Sequence, residues 1–488
     1  MKGFCHDLSR PKRKKTLYQQ LYEAIIAEIH DGTLKTDDAL KPIRFLADEL
    51  NISLNTVQKA YQQLLAEGYI RSVPGSGYYV EDVTNSYLSE LDSRTDLTHA
   101  NAVPSSHPGL TETKLAPISP FPIRYDFKHD AVFSQLFPWK TWRRCVNTAL
   151  LKEENNQTIR YESNQGNLEL RTQLCQILHR NRGVNCTPDQ IIMAPGTQYA
   201  MEIICRLLPA SQHRIAYEEP AHNGMRNIFL QNGYDITSIP VRKHGIDVHA
   251  LTKTDCNLLY VMPSHQFPTG RTIPVSSRYR LLEWAVKRDA FIIENDYDSD
   301  FTYQSRPIPA LQGLDKYGHV IYFNTLSKIL TPSMRIAFFI LPLPLLEIYR
   351  EMYRYFNSAL PTYHQIALTE FMASGDFERH LRKIIRSNEK KCGILIDSIR
   401  TCLNNWMEII DTPAGSHIIV RIRACHDADW LINKLHERQI AIYGVKEYFH
   451  TTKAPEDIFL LGFSSMSENE IPIACTHLAS ALGELLGK

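Results

Sequence analysis

From residue 121 to the C-terminus, short apolar runs that end in polar residues or glycine alternate with longer amphipathic stretches. The runs IIMAP, RIAYEEP, NLLYVMP, AFIIENDY and VIYFNTLS are each too short for a helix and rich in strand-forming residues. That alternation is the βαβ rhythm of a mostly parallel sheet, which places the chain in the α/β class. Such a sheet collects its functional groups just past the carboxyl ends of its strands. The 488 residues exceed the roughly 250–300 that one core organises, so at least one further domain is expected.

Two other zones precede the alternating one. Residues 83–120 are rich in Ser, Thr and Pro and carry no sustained period, which reads as a linker. Residues 1–82 alternate helical periodicity with turn signals. Leu17, Leu21, Ala24 and Ile25 mark one face of a first helix closed by Asp31-Gly32. A short helix follows, Arg44 to Leu50, with Phe45, Leu46 and Leu50 apolar. A tight turn leads to Ser53, a good N-cap. The third helix carries Val57, Ala60, Tyr61, Leu64 and Leu65 on one face, shows Asn55, Thr56, Gln58, Lys59 and Gln62 on the other, and stops at Gly68. Tyr69-Ile70-Arg71, a turn containing Gly75 and Gly77, and Tyr78-Tyr79-Val80 form a two-stranded wing. Helix, helix-turn-helix and wing is the plan in which the third helix enters the major groove of double-stranded DNA.

Charge bounds how that head binds. Lys+Arg number 54 and Asp+Glu 53, a formal charge of +1, which argues against a uniformly basic coat. Residues 1–80 hold eleven basic and nine acidic residues, and five of the eleven lie in Arg10–Lys15. The expectation is weak non-specific affinity, two heads on one site, and phosphate contacts from that arm, Arg44, Lys59 and Arg71. The ten cysteines are scattered without metal-ligand spacing and read as reduced thiols. No apolar run reaches the ~20 residues of a membrane span, and the N-terminus lacks a signal core, so a cytoplasmic protein is expected.

The string YFNTLSKILTPSMRIAFFILP (322–342) carries the clearest chemistry. A strand end delivers Ser327-Lys328, with Arg335 seven residues on. A lysine at a strand end in an apolar frame suits Schiff-base formation, because desolvation favours the neutral amine. Gly196-Thr197-Gln198 opens a helix after a strand, so its N–H groups face an anion.

LADELNISLNTVQKAYQQLLAEGYI and RSVPGSGYYV resemble the GntR-type winged helix. YESNQGNLELR, APGTQYAMEIICRLL, EEPAHNGMRN, MPSHQFPTGRTIP, ENDYDSDFTY, FERHLRKIIR and AGSHIIVRI resemble, in order, the segments of fold-type I pyridoxal-phosphate aminotransferases. Together they make the chain similar to MocR-type (GabR-like) transcription regulators. The resemblance implies a winged helix at 1–82, an aminotransferase-like domain at 121–488 with a smaller C-terminal subdomain from about 345, and a homodimer sharing its cofactor sites. It implies pyridoxal 5'-phosphate bound through Lys328, with Gly196, Thr197, Gln198, Ser327 and Arg335 on the phosphate and Tyr161 reaching the neighbouring subunit's phosphate. Tyr297 would hold the ring's phenolate oxygen, and His222 takes the ring-stacking position.

Several positions depart from the family. The Asp that pairs with the pyridine nitrogen is replaced by Asn295. The adjacent Asp296 points to the opposite face of a strand unless a one-residue bulge brings it round. Transamination is therefore expected to stop at a half-reaction at most. No Arg stands in FLLGFSSMSENE (459–470). Lys446, in IAIYGVKEYF, is the basic candidate for an effector, and Gly224 stands where a GABA-sensing relative has a basic residue. A neutral amine or the cofactor itself is then the expected signal. In the head, Lys41-Pro42-Ile43-Arg44 replaces Pro-Ser-Ser-Arg, weakening the cap of the second helix, and Leu54 replaces an Arg, which changes base preference. Two other readings stay open: a working aminotransferase with a vestigial winged helix, and a cofactor-free regulator using the domain only to dimerise.

Overall fold

The computed structural model describes residues 16–81, 122–129, 136–154, 163–296, 298–301, 303, 308–410 and 415–487. The chain divides into two compact units, Met1–Pro117 and Ile118–Lys488. The Arg10–Lys15 arm, the whole 83–120 segment, Tyr161 and Tyr297 lie outside the described residues.

In the first unit, α1 (Leu17–His30), α2 (Ile43–Leu50) and α3 (Leu54–Ala66) precede an antiparallel pair, β1 (Ile70–Val73) and β2 (Gly77–Val80). The core is Leu21, Ile25 and Ile29 of α1, Leu46 and Ala47 of α2, and Val57, Ala60, Tyr61 and Leu64 of α3. Leu17, Leu65 and Phe45, expected on buried faces, are 45%, 40% and 58% exposed. Leu17 sits at the first position of its helix, and Leu65 and Phe45 fall just off the stripe of their helices. The N-cap of α2 is Pro42, which makes no side-chain cap bond, in line with the weakened cap expected there. The turn between β1 and β2 uses positive φ at Gly75 (78°) and Gly77 (116°), which a larger residue would strain.

The second unit is built on eight strands. Their order is Ile191–Ala194, Ala337–Ile340, Val320–Thr325, Phe291–Asn295, Leu258–Val261, Ile215–Glu219, Ile236–Arg242 and Gly245–Ile246. The run from Val320–Thr325 to Ile236–Arg242 is parallel throughout, and Ala337–Ile340 is antiparallel to both of its neighbours. Ile191–Ala194, Leu258–Val261 and Ala337–Ile340 are buried along their whole length, as in sheets covered on both faces. A smaller antiparallel sheet, Met407–Ile409, His417–Ile422, Ile458–Gly462 and Tyr443–Gly444, packs with the helices Asp376–Ser398 and Glu470–Leu486 around a second core. Among the described residues no helix is long and apolar enough to cross a membrane.

Candidate functional site

Five parallel-running strands deliver side chains from their carboxyl ends into one region of the second unit. Beyond Val320–Thr325, the chain turns through Ser327 to Lys328. Lys328 Nζ stands 2.7 Å from the Asp298 carboxylate and 2.9 Å from Ser416 Oγ. Asp298 is buried and holds a left-handed φ of 53°, so the loop after Phe291–Asn295 is bent to aim a carboxylate at the lysine. Ser416 Oγ donates to His129 O at 2.7 Å, which ties the small sheet to the segment before it.

An anion cradle adjoins the lysine in sequence and across the sheet. Gly196 caps the helix Thr197–Leu207 with φ 99°. A Cβ there would lie 2.5 Å from Arg335 Nη2, so only glycine lets the guanidinium reach the helix end. Arg335, itself left-handed at φ 51°, donates to Gln198 Oε1 at 2.9 Å. Ser327 Oγ accepts from Thr325 Oγ1 at 3.0 Å. The first N–H groups of the helix, the guanidinium and the hydroxyl have the donor chemistry a phosphate needs, and the missing Cβ lets the guanidinium join them. The residues present therefore fit a phosphate-bearing cofactor.

Asn295 lies at the end of its strand and donates through Nδ2 to Tyr260 Oη at 2.6 Å. Tyr260 stacks on Tyr217 at 4.8 Å with only 6° between planes, both fully buried. Asp296 is not brought round by a bulge. It points to the other side, where Arg182 grips both oxygens at 2.9 and 2.8 Å and Tyr322 Oη donates at 2.5 Å. Burial opposes its ionisation, but the Arg182 charge and these hydrogen bonds hold its carboxyl below the usual range. Next to it, burial and the Asp296 charge push Glu294 up, while Leu311 and Gln312 N–H groups bind its two oxygens at 2.7 and 2.8 Å.

His222 caps the helix Asn223–Gln231, its Nδ1 accepting from Gly224 N–H at 3.0 Å. A Cβ on Gly224 would come within 2.7 Å of His222 Cε1, so the glycine lets the ring fold back over its own turn. The ring stands edge-on to Phe267 at 5.8 Å. Phe267 is the hub of a cluster that sequence reasoning missed: His129 stacks on it at 5.2 Å, and His417 and Tyr448 meet it edge-on. His265 lies 6.0 Å from His417. Burial, together with His265, His129 and Lys328, keeps His417 neutral, its pKa well below the ordinary value. Asp298, Ser416 and these histidines were also missed, because they come from four separate segments. The one available signal was the density of acidic residues in ENDYDSD. Lys446 is exposed and pairs with Asp429 Oδ2 at 2.5 Å.

In the winged-helix unit the polar face of α3 is exposed at Asn55, Gln58, Lys59 and Gln62, and Leu54 at its first turn is 51% exposed. Ser53 and Thr56 are turned to the helix end: Ser53 Oγ accepts from Thr56 N–H at 3.1 Å and lies 2.7 Å from its hydroxyl. Arg44 is exposed on α2. Arg71 is held by Asp37 at 2.5 Å and by Glu81 at 3.7 Å, so a phosphate must compete with two carboxylates for it.

The aminotransferase class I and II family matches residues 136–478, and the family of bacterial regulatory proteins of gntR type matches residues 17–80. The chain is 33% identical to an uncharacterized HTH-type transcriptional regulator, YdeL, of Bacillus subtilis, over 95% of this chain and 96% of that one. It is 30% identical to the probable rhizopine catabolism regulatory protein MocR of Rhizobium meliloti, over 95% and 93%. Among solved structures, an archaeal alanine:glyoxylate aminotransferase superposes with a TM-score of 0.66 at 25% identity, over 74% of this chain and 91% of that one.

Proposed function

The chain belongs to the MocR-type regulators, in which a GntR winged helix is joined to an aminotransferase class I and II domain, and from that premise we propose that it controls transcription in response to pyridoxal phosphate held at Lys328, or to an amine that meets it there. The observation that carries this reading is the convergence of Lys328, Asp298 and Ser416 with a phosphate cradle of Gly196, Thr197, Gln198, Ser327 and Arg335. In this group of proteins the bound cofactor supplies a carbonyl carbon that an amine attacks, and a ring able to draw electrons from it.

The Asp298 carboxylate, 2.7 Å from Lys328 Nζ, orients the nitrogen that would meet a carbonyl. Ser416 Oγ at 2.9 Å is its second partner and fixes the side chain from the other sheet. Arg335 and the Thr197 helix end fix the anionic end of the ligand and so set its distance from Nζ. Phe267, His417 and Tyr448 exclude water from one side of the site. Asn295 offers a neutral amide, shared with Tyr260, where a carboxylate would be needed to hold a pyridinium proton. That favours sensing over turnover, with at most a half-reaction.

Two copies, each presenting α3, read one operator as a homodimer, and ligand occupancy biases the arrangement of the heads. The test is the visible spectrum of the purified protein with pyridoxal phosphate before and after borohydride, followed by a mobility shift on the DNA upstream of its own gene. A band that borohydride fixes in the parent and that Lys328→Ala abolishes is expected, together with a change in DNA affinity. No band in the parent would leave the domain as a dimerisation scaffold, and steady turnover of an amino acid with a keto acid would make it an enzyme.

A further inference from the structure

Away from Lys328, a cavity of about 560 Å³ opens between the large and small sheets of the second unit. None of its lining residues belongs to the phosphate cradle. Its volume is in the range of small-molecule sites. One wall comes from the end of the strand Ile236–Arg242 and the loop after Phe267. The other comes from the small sheet and the segment before it.

The lining has a pronounced chemical bias. Among the described residues that line it, Arg242, Lys243, Arg271 and Arg421 are the charged ones and none is a carboxylate. Arg242 pairs with Asp247, and Arg421 with Glu408 and Asp457, so neighbouring carboxylates offset part of this charge. The floor is apolar: Ile410, Ile419, Phe449 and Ile458 face the same space. A ring of cations around an apolar floor selects a ligand with an anionic end and an apolar body.

The position of the cavity gives it a consequence. Pro220 and Pro268 line it, and they flank the cradle-side residues His222 and Phe267 by two and one positions in sequence. Tyr448, whose ring meets Phe267 at 4.9 Å, lies between the lining residues Val445 and Phe449, and Ala221 N–H donates to Tyr448 O at 3.1 Å. A ligand seated here contacts both sheets at once and so stabilises one setting of the seam that also shapes the Lys328 site. We propose that this cavity binds a small organic anion with an apolar body, and that its occupancy is transmitted through Phe267 and Tyr448 to the Lys328 site.

The experiment uses the full-length protein and the fluorescent anion anilinonaphthalene sulfonate as probe, with octanoate and octanamide as competitors. One saturating site per chain is expected, from which octanoate displaces the probe and octanamide does not. Lys243→Gln combined with Arg271→Gln, and separately Val241→Trp, which fills the cavity, should each weaken probe binding by about tenfold or more. Equal affinity in the double variant, or equal displacement by octanamide, would overturn the proposal. The double variant alters exposed or half-exposed cations, so it folds even where Val241→Trp does not. With pyridoxal phosphate present, octanoate should shift the visible band of the parent and not that of the double variant; a band that octanoate leaves unmoved would overturn the transmission. If the parent shows no band at all, the reading of Lys328 fails while the probe titration still decides the anion site.

Discussion

Replacing Asp296 by Asn separates a structural carboxylate from one that serves a cofactor. Asp296 and Arg182 are 1% and 3% exposed, joined by two contacts of 2.8 and 2.9 Å, and Tyr322 adds a third hydrogen bond. The amide keeps the shape but leaves the guanidinium charge uncompensated in the interior, which costs about 3–5 kcal/mol. The surrounding unit has roughly 370 residues, and at about 2.1 cal/mol/K of unfolding entropy per residue the loss is a fall in Tm of roughly 4–6 °C. The acid dependence follows from the depressed carboxyl. Its contribution is complete above the unfolded value of about 4 and is lost as pH falls through the lower native value, so the gap between parent and variant should close in acid. Calorimetric melting from pH 7 downward, with the visible band recorded on the same samples, checks both points. An Asp296→Asn protein that melts with the parent but loses its cofactor band would refute the reasoning, because the carboxylate would then face the ring.

The neighbouring change Asn295→Asp should leave Tm within about 1 °C, since the site is partly exposed, and should raise the rate of a single-turnover amino-acid half-reaction, read by stopped-flow absorbance. In the head, Leu54→Arg should shift selection from random duplexes toward guanine by about 1–3 kcal/mol per contacted base. Asp37→Ala should release Arg71 to the DNA backbone and steepen the salt dependence of binding by about one unit in the log–log slope. Glu219, whose carboxyl burial would raise but which hydrogen bonds from Ser238 and the Thr451 and Thr452 N–H groups hold at about 2, pins the 450–452 loop to its strand. Glu219→Gln should therefore flatten the acid limb of stability between the ordinary carboxylate value and pH 2, as followed by acid titration of the circular dichroism signal.

What the residues alone determined was periodic or local. The βαβ rhythm sets the parallel sheet, because strand and helix periods are properties of the chain. The order of turn, helix and wing sets the DNA-binding head. Lys328 and Arg335 in one string and Gly196 in another could be singled out because each string is local and borders a strand. The tertiary structure decided what depends on long-range approach. Asn295 and Asp296 are neighbours in sequence, yet only packing against Arg182 and Tyr322 shows that the acid turns away and the amide faces Tyr260. Asp298, Ser416 and His129 are drawn from segments more than a hundred residues apart, and no local pattern announces their meeting. Arg71 reads as a phosphate contact in the sequence, whereas in the fold it is shared with Asp37 and Glu81. Charge and period are written along the chain; which charges face each other is fixed only when the sheets close.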